Sequence, residues 1–397
     1  MQEFSTAIVG AGAAGLAAAI SAKRRGTSCV VCERLPKIGK KILASGNGRC
    51  NLSNEDLSAG NYNEGSKGLV TSVFGKFGSS AIKDFFHGLG LELVSEDNRI
   101  FPATNQSSSV LKALELEIEK LEVPIELGFT VERIESGNKG FFVVSASGKR
   151  ISCSSVVITG GGNSYPALGS DGSAYKLASS LGHTIVPPVP SAVPLMVKDP
   201  LCHLAQGQRI EAKVKAMISK EVVAQSCGDL MFTKYGFSGT AILDISRNVS
   251  IALNRQPSKS VYLEVDIVPF IGEDELASNI ERAARDGRPH EDVLAGVLPL
   301  KISAALKWLI SVGNPAIIAK KLKSMRFEVI GTRGWNEAEF TAGGVDALEV
   351  DPVTLGSKIK KGIYFAGEVL DVDGRRGGYN LAWAWASGFV AGTAVPR

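Results

Sequence analysis

At 397 residues the chain is longer than one hydrophobic core usually organises, so two or three domains are expected. Hydrophobic residues make up 44% and charged residues 21%, which excludes intrinsic disorder and fibrous repeats. Lys plus Arg total 44 and Asp plus Glu 40, a net charge of +4 that is too mild to imply nucleic acid by itself.

The uncharged run at residues 4–22 has the wrong flanks for a signal peptide. Glu3 precedes it, while Lys23, Arg24 and Arg25 follow, and glycines and alanines dilute its hydrophobicity. No other stretch approaches the roughly 20 apolar residues of a spanning helix, so no membrane role is expected. Instead, residues 6–9 read as a buried strand that turns through Gly10-Ala11-Gly12-Ala13-Ala14-Gly15 into a helix at 16–25. This is a GxGxxG fingerprint: Gly10 permits the turn, Gly12 lets a pyrophosphate approach the backbone, and Gly15 lets the helix sit close on its strand. A second strand at 28–32 leads to Glu33, 18 residues after Gly15, where a carboxylate can accept hydrogen bonds from an adenosine ribose. Cys29 and Cys32 have CxxC spacing, but on a strand they face opposite sides, beyond disulfide reach. With six scattered cysteines and no zinc-type pairs, a reducing cytoplasm is the expected location.

Residues 37–54 form a basic, glycine-rich loop suited to wrapping a phosphate-bearing ligand. A helix follows at 109–122 and three short strands at 128–152. The strand at 155–162 runs straight into Gly160-Gly161-Gly162, without the spacing of a second dinucleotide fold. Pro187-Pro188-Val189-Pro190 breaks the pattern and marks a boundary, beyond which 209–218, 221–226 and 261–268 read as strands of a β-rich domain. Helical periodicity at 275–286, 302–312 and 315–325 indicates a small cap; nine acids against three bases at 264–292, and seven bases against one acid at 301–333, make it dipolar. The chain re-enters the first domain at 339–344, forms a strand at 362–371 ending in glycine and carboxylates, and closes with Gly377-Gly378 and a helix at 379–393.

The segments ASGNGRCNLSN (44–54), YPALGSDGSAY (165–175), DLMFTKYGFSGTAIL (229–243) and FAGEVLDVDGRRGGYNLAWAWASG (365–388) resemble the FAD-binding flavoproteins of the glutathione-reductase superfamily. The nearer resemblance, over nearly the whole chain, is to the bacterial aminoacetone-oxidase-like family with its bile-acid-reductase-like members. It implies an α/β fold: a discontinuous Rossmann-type FAD-binding domain (1–186 and 336–397) with an inserted β-rich substrate domain (187–271 and 326–335) and a helical cap (272–325). The resemblance implies that Gly10, Gly12, Gly15 and Glu33 hold the ADP half, and that Glu368, Asp371 and the Gly377-Gly378 turn lie along the ribityl chain and flavin. The rest of the expected cofactor set is Ala13, Ala14, Arg34, Lys41, Gly46, Asn47, Gly48, Arg49, Cys50, Asn51, Thr159, Gly160, Gly161, Gly367, Tyr379 and Asn380. Three positions depart from the family pattern: Lys234 replaces a histidine, Thr240 a proline and Ala382 a glutamine, so no imidazole acts at position 234.

The cofactor expected is FAD, with NAD(P)H as a transient reductant, because no second dinucleotide motif is present. Cys50 has no second cysteine among residues 51–55, which argues against disulfide reduction. Tyr165, Lys234, Tyr235 and Tyr379 are the candidate proton donors. His87, His183, His203 and His290 lack metal-ligand spacing, so no metal is expected. The leading expectation is hydride transfer between flavin N5 and a small-molecule substrate, either a small amine that is oxidised or a conjugated C=C bond that is reduced, with NAD(P)H or oxygen completing the cycle. RNA modification, suggested by family members proposed to make dihydrouridine in ribosomal RNA and by the basic run 301–333, is a less favoured alternative, followed by a non-catalytic flavin-binding role.

Overall fold

The structure is a computed structural model that describes residues 3–138, 140–255 and 260–397. The chain divides into two compact units, Met1–Pro188 with Phe340–Arg397, and Val189–Glu339.

The first unit begins with strand β1 (Glu3–Val9), helix α1 (Ala13–Arg24) and strand β2 (Cys29–Glu33). The uninterrupted apolar run Ala7-Ile8-Val9 suits a strand covered on both faces, and all three side chains are buried. Helix α2 (Ser107–Lys120) then leads to β3 (Ile125–Leu127), β4 (Val131–Gly137), β5 (Gly140–Ser145) and β6 (Arg150–Ile158). The strands order β3-β2-β1-β6-β5-β4. Strands β1, β2, β3 and β6 run parallel, and β4 and β5 add an antiparallel hairpin. The predicted loop at 37–54 contains a one-turn helix, Lys40–Ala44, and a run of left-handed backbone at Gly46, Asn47, Gly48 and Cys50. The division between the two units falls within the proline run, as expected of a boundary there, but Pro187, Pro188 and Pro190 lie inside an extended strand, Ile185–Ser191, because fixed φ is compatible with extended backbone.

The second unit is a closed six-stranded barrel. Its strands are β7 (Leu195–Val197), β8 (Arg209–Ile218), β9 (Glu221–Thr233), β10 (Gly236–Ser238), β11 (Val261–Asp266) and β12 (Met325–Thr332), in the order β7-β10-β9-β8-β11-β12. Alternation sends Ala212, Val214 and Ala216 of β8, and Val261, Leu263 and Val265 of β11, into the core. Phe237 sits edge-on to both Phe232 and Phe327, at 5.3 and 4.9 Å between centroids. Between β11 and β12 lie α3 (Glu273–Arg285), α4 (Leu300–Ala305), α5 (Lys307–Ile310) and α6 (Pro315–Lys323). The helix expected at 302–312 is therefore two short ones, interrupted at Leu306. Leu276, Ile280, Ile318 and Leu322 of these helices share one core with Leu263 and Val265 of the barrel.

The chain returns to the first unit, where β13 (Ile363–Phe365) pairs in parallel with Val156–Ile158 of β6. Helix α7 (Tyr379–Ala394) then packs against α1. A Cβ at Gly388 would collide with the Ala14 carbonyl, and one at Gly392 with the Ala18 carbonyl and Ser21 Oγ. These two glycines, four apart on one helical face, let the first and last helices touch backbone to backbone.

Candidate functional site

The glycine turn and the carboxylates that follow it lie in the first unit, around the carboxyl ends of its parallel strands, where open α/β sheets take their ligands. At the end of β1, Gly10 adopts φ +104° and donates its N–H to Cys32 O at 2.8 Å, a turn only glycine makes without strain. A Cβ at Gly15 would strike Gly10 O, so that glycine sets the closeness of α1 to the turn. At Gly12, by contrast, nothing stands within 4 Å of where a Cβ would be. Gly12 is also the N-cap of α1 and provides no side-chain cap, so no capping side chain takes up the first amides of the helix, from Ala13 and Ala14. Close packing at Gly15 with openness at Gly12 is the arrangement a dinucleotide pyrophosphate requires, and the residues present fit FAD.

Glu33 ends β2, buried, with one carboxylate oxygen accepting from Ala11 N–H (2.7 Å) and the other from Leu35 N–H (2.8 Å). This ties the ribose-binding candidate to the glycine turn. Next to it, Arg34 pairs with Asp171 at 2.5 Å. Burial pushes the Asp171 carboxyl up, but hydrogen bonds from Arg34 and Ser173 outweigh it and bring it down to about 2. Asp171 lies in the segment 165–175, which thereby reaches the adenosine end of the cradle.

The cluster around Glu368 is the most densely bonded part of the site. Glu368 Oε2 accepts from Lys41 Nζ at 2.6 Å, and Oε1 accepts from Ser164 Oγ and Thr341 N–H, each at 2.8 Å. Lys41 also donates to Ser164 Oγ at 2.6 Å. Burial alone pushes the Glu368 carboxyl up, yet the Lys41 ammonium, the Ser164 hydroxyl and the Thr341 amide hold it below the usual carboxylate value. Tyr175, buried beside it, donates its hydroxyl to Glu368 O at 3.4 Å, and burial with the Glu368 charge pushes the phenol well up. A Cβ at Gly161 would meet Ser170 Oγ, and Gly160 lies against Ala174, so the glycines after β6 pack under this cluster. Thr159 Oγ1 donates to Val9 O (2.8 Å) and Gly10 O (3.0 Å), joining the two strand ends.

The remaining candidates converge at the start of α7. Gly367, at φ +77°, donates to Ser387 Oγ and accepts from Trp383 Nε1 at 3.1 Å. Asp371 N–H bonds Val345 O, and Asn63 donates to Asp371 O. Gly377 O accepts from Asn54 Nδ2, and a Cβ at Gly378 would collide with Ser53 O. The Asn51 amide fits with its nitrogen on Ser53 O (3.0 Å) and its oxygen on Gly378 N–H (3.2 Å). No side chain caps α7, which leaves the amides of Tyr379 and Asn380 available to an anionic partner. Tyr379 is held edge-on to Tyr62 at 5.9 Å, and burial raises its phenol. The Asn380 side chain is bonded to Gly374 and Arg375, fixing the preceding loop.

Arg49 lies on the surface, its guanidinium bonded to Glu96 and Asn105 and stacked 4.2 Å over Phe101. Cys50 is fully buried, and burial pushes its thiol up to about 12, so it is a packed thiol rather than a thiolate. Tyr165 adopts left-handed backbone (φ +56°) at the start of the turn Pro166–Leu168. Lys234 and Tyr235 belong to the second unit, at the β9–β10 turn: Lys234 is exposed, while Tyr235 lies under the Arg333 guanidinium at 4.5 Å and reaches Glu337 at 3.5 Å. Ser164, Thr341, Tyr175 and Tyr62 escaped the sequence reading as site residues. The 165–175 motif pointed near Ser164 and Tyr175, whereas nothing local marks Thr341 or Tyr62. Among the described residues no His, Cys, Asp and Glu group can hold a metal ion, and no helix is long and apolar enough to cross a membrane.

A family model described as "HI0933-like protein Rossmann domain" matches residues 4–394. A 3-dehydro-bile acid delta(4,6)-reductase of Clostridium scindens is 38% identical over 408 residues, covering 98% of each chain. Ribosomal RNA dihydrouridine synthases of Haemophilus influenzae and Escherichia coli are each 29% identical, over 100% of both chains for the first, and over 98% of this chain and 97% of its relative for the second. Among solved structures, the 3-ketosteroid delta1-dehydrogenase of Sterolibacterium denitrificans shares the fold at a TM-score of 0.53, with 11% identity, over 100% of this chain and 99% of the other.

Proposed function

This chain belongs to the HI0933-like family and is an FAD-dependent oxidoreductase, and from that premise we propose that it reduces a conjugated carbon–carbon double bond in a flat polycyclic enone, with NADH or NADPH as the electron source. The observation that carries this reading is the reach of the 38% identity: it extends through 98% of both chains and so includes the barrel unit as well as the dinucleotide cradle. Bound FAD supplies the hydride chemistry at N5.

The protein's own groups supply position and a proton. The open face at Gly12 and the first amides of α1 take the pyrophosphate, and Glu33 takes the ribose hydroxyls. Glu368, kept ionised by Lys41, offers acceptor oxygens to the ribityl chain, while the uncapped start of α7 favours negative charge at the pyrimidine edge. Hydride addition to one alkene carbon leaves negative charge conjugated with the carbonyl, and a side-chain acid protonates the other carbon. Tyr165, Lys234, Tyr235 and Tyr379 are the candidate donors of that proton; burial raises the Tyr235 and Tyr379 phenols, so either one would have to give up its proton to the developing carbanion rather than to water.

A second reading is favoured by the two relatives named for dihydrouridine synthesis, because uracil carries the same conjugated double bond on a different carrier. Stopped-flow absorbance separates the readings. The FAD-loaded protein is bleached anaerobically with NADH, NADPH or aminoacetone, then mixed with a 3-oxo-Δ4,6 bile acid or a ribosomal RNA transcript. Bleaching by a nicotinamide and recovery of the yellow colour with the dienone are expected. Bleaching by the amine alone, or recovery with RNA alone, overturns the proposal.

A further inference from the structure

The helices inserted between β11 and β12 carry a surface that the redox chemistry does not use. From residue 293 to residue 327 there is no Asp or Glu, while Lys301, Lys307, Lys320, Lys321, Lys323 and Arg326 fall inside the stretch. Some of this charge is committed: Lys323 pairs with Asp266 at 2.7 Å, Lys301 donates to Gln206 O, and Arg326 lies over Tyr262. Lys307, Lys320 and Lys321 make no ion pair among the described residues, and all three are exposed.

Large apolar side chains stand out in the same place. Trp308 is 56% exposed, Val312 46% and Ile317 45%. Val312 follows Trp308 by four residues, and Ile317 and Lys321 are four apart on α6 and share one face. The Lys321 ammonium stands 5.9 Å from the Trp308 ring centroid, which joins the two helices' exposed residues into one patch. An indole, two aliphatic side chains and unpaired lysines form a surface with an apolar centre and a cationic rim.

We propose that this patch docks the protein reversibly onto an anionic lipid bilayer surface, with Trp308, Val312 and Ile317 entering the headgroup boundary and Lys307, Lys320 and Lys321 contacting lipid phosphates. The charge calls for an anionic partner, and the apolar composition selects among anionic partners. Single-stranded RNA rewards aromatic faces on which bases stack, whereas two of these three apolar side chains are aliphatic. Self-association of the patch would bring like charges together. A bilayer uses both halves of the surface, since an indole is at home at the lipid–water boundary and each lysine near an anionic leaflet adds about 1 kcal/mol, roughly a five-fold change in partitioning. This mode of attachment needs no spanning helix.

The test is co-sedimentation of the FAD-loaded full chain with vesicles of phosphatidylcholine, alone or mixed with phosphatidylglycerol, across a salt series. Binding confined to the mixed vesicles and falling with salt is expected. Lys320→Gln/Lys321→Gln is expected to weaken it by about 25-fold at low salt, two lysines at roughly five-fold each. Trp308→Ala is expected to weaken it at every salt concentration, and all variants keep the far-UV circular dichroism of the wild type, which shows that the second unit is folded. Absence of binding to the mixed vesicles at low salt overturns the proposal. So does equal binding by wild type and the double lysine variant, or preferential binding to a single-stranded RNA homopolymer that competes the vesicles away.

Discussion

The site is held by a few residues whose exchange has separable consequences. At Gly12 the space a side chain would occupy is open, so Gly12→Val is expected to fold normally and purify without yellow colour, measured by circular dichroism and by the flavin-to-protein absorbance ratio. Lys41→Met leaves the Glu368 carboxylate without its strongest partner and is expected to lower stability by about 1–3 kcal/mol in urea, part of which Lys41→Met/Glu368→Gln recovers. The pH dependence has a definite sign. Glu368 is held below its unfolded value, so its contribution to stability is complete above that value and is lost as pH falls through the lower folded one; Glu368→Gln flattens the acid limb. Cysteines give an independent check. Burial pushes Cys29 up to about 11 and Cys32, Cys50, Cys153 and Cys202 up to about 12, while Cys227 is the exposed one. A thiol reagent at neutral pH is therefore expected to label one cysteine rapidly, and Cys227→Ser to remove that phase.

At the scale of elements, the contact between α1 and α7 sets the geometry of the cradle. Gly388 and Gly392 allow it by lacking side chains where Ala14 and Ala18 present backbone. Gly388→Val forces the helices apart, with an expected cost of about 1–3 kcal/mol and loss of flavin at a lower urea concentration than for wild type. How far sequence reaches is visible in the same elements. β1, α1 and β2 were legible because local signals coincide there: an apolar strand, glycines at fixed spacing and a carboxylate one strand later. β8 was legible throughout because one face alternates with solvent. The extent of β9 was not, since the strand reads only over 221–226 and its second half, Cys227-Gly-Asp-Leu-Met-Phe-Thr233, is extended by pairing with β8 and β10. Thr341 and Ser164 meet Glu368 only through tertiary folding, across 27 and 204 residues of chain, and leave no periodic trace.

For the whole molecule, the two units have separate hydrophobic cores, one around the parallel sheet and one inside the barrel with its helices. Phe237→Ala removes the ring at the centre of the barrel's aromatic group and is expected to cost about 3–5 kcal/mol in the second unit. Followed by urea denaturation with flavin absorbance and far-UV circular dichroism together, the variant is expected to lose part of its secondary structure before releasing flavin. The backbone contact between the first and last helices also has a bearing on biosynthesis. The barrel unit is a single uninterrupted stretch and can mature while the ribosome is still translating, whereas the nascent amino-terminal half waits for its final partner until the closing residues emerge from the exit tunnel. Acquisition of the prosthetic group is thus expected to follow the synthesis of α7, and a stop codon ahead of α7 would yield a product with an intact barrel and no grip on the coenzyme.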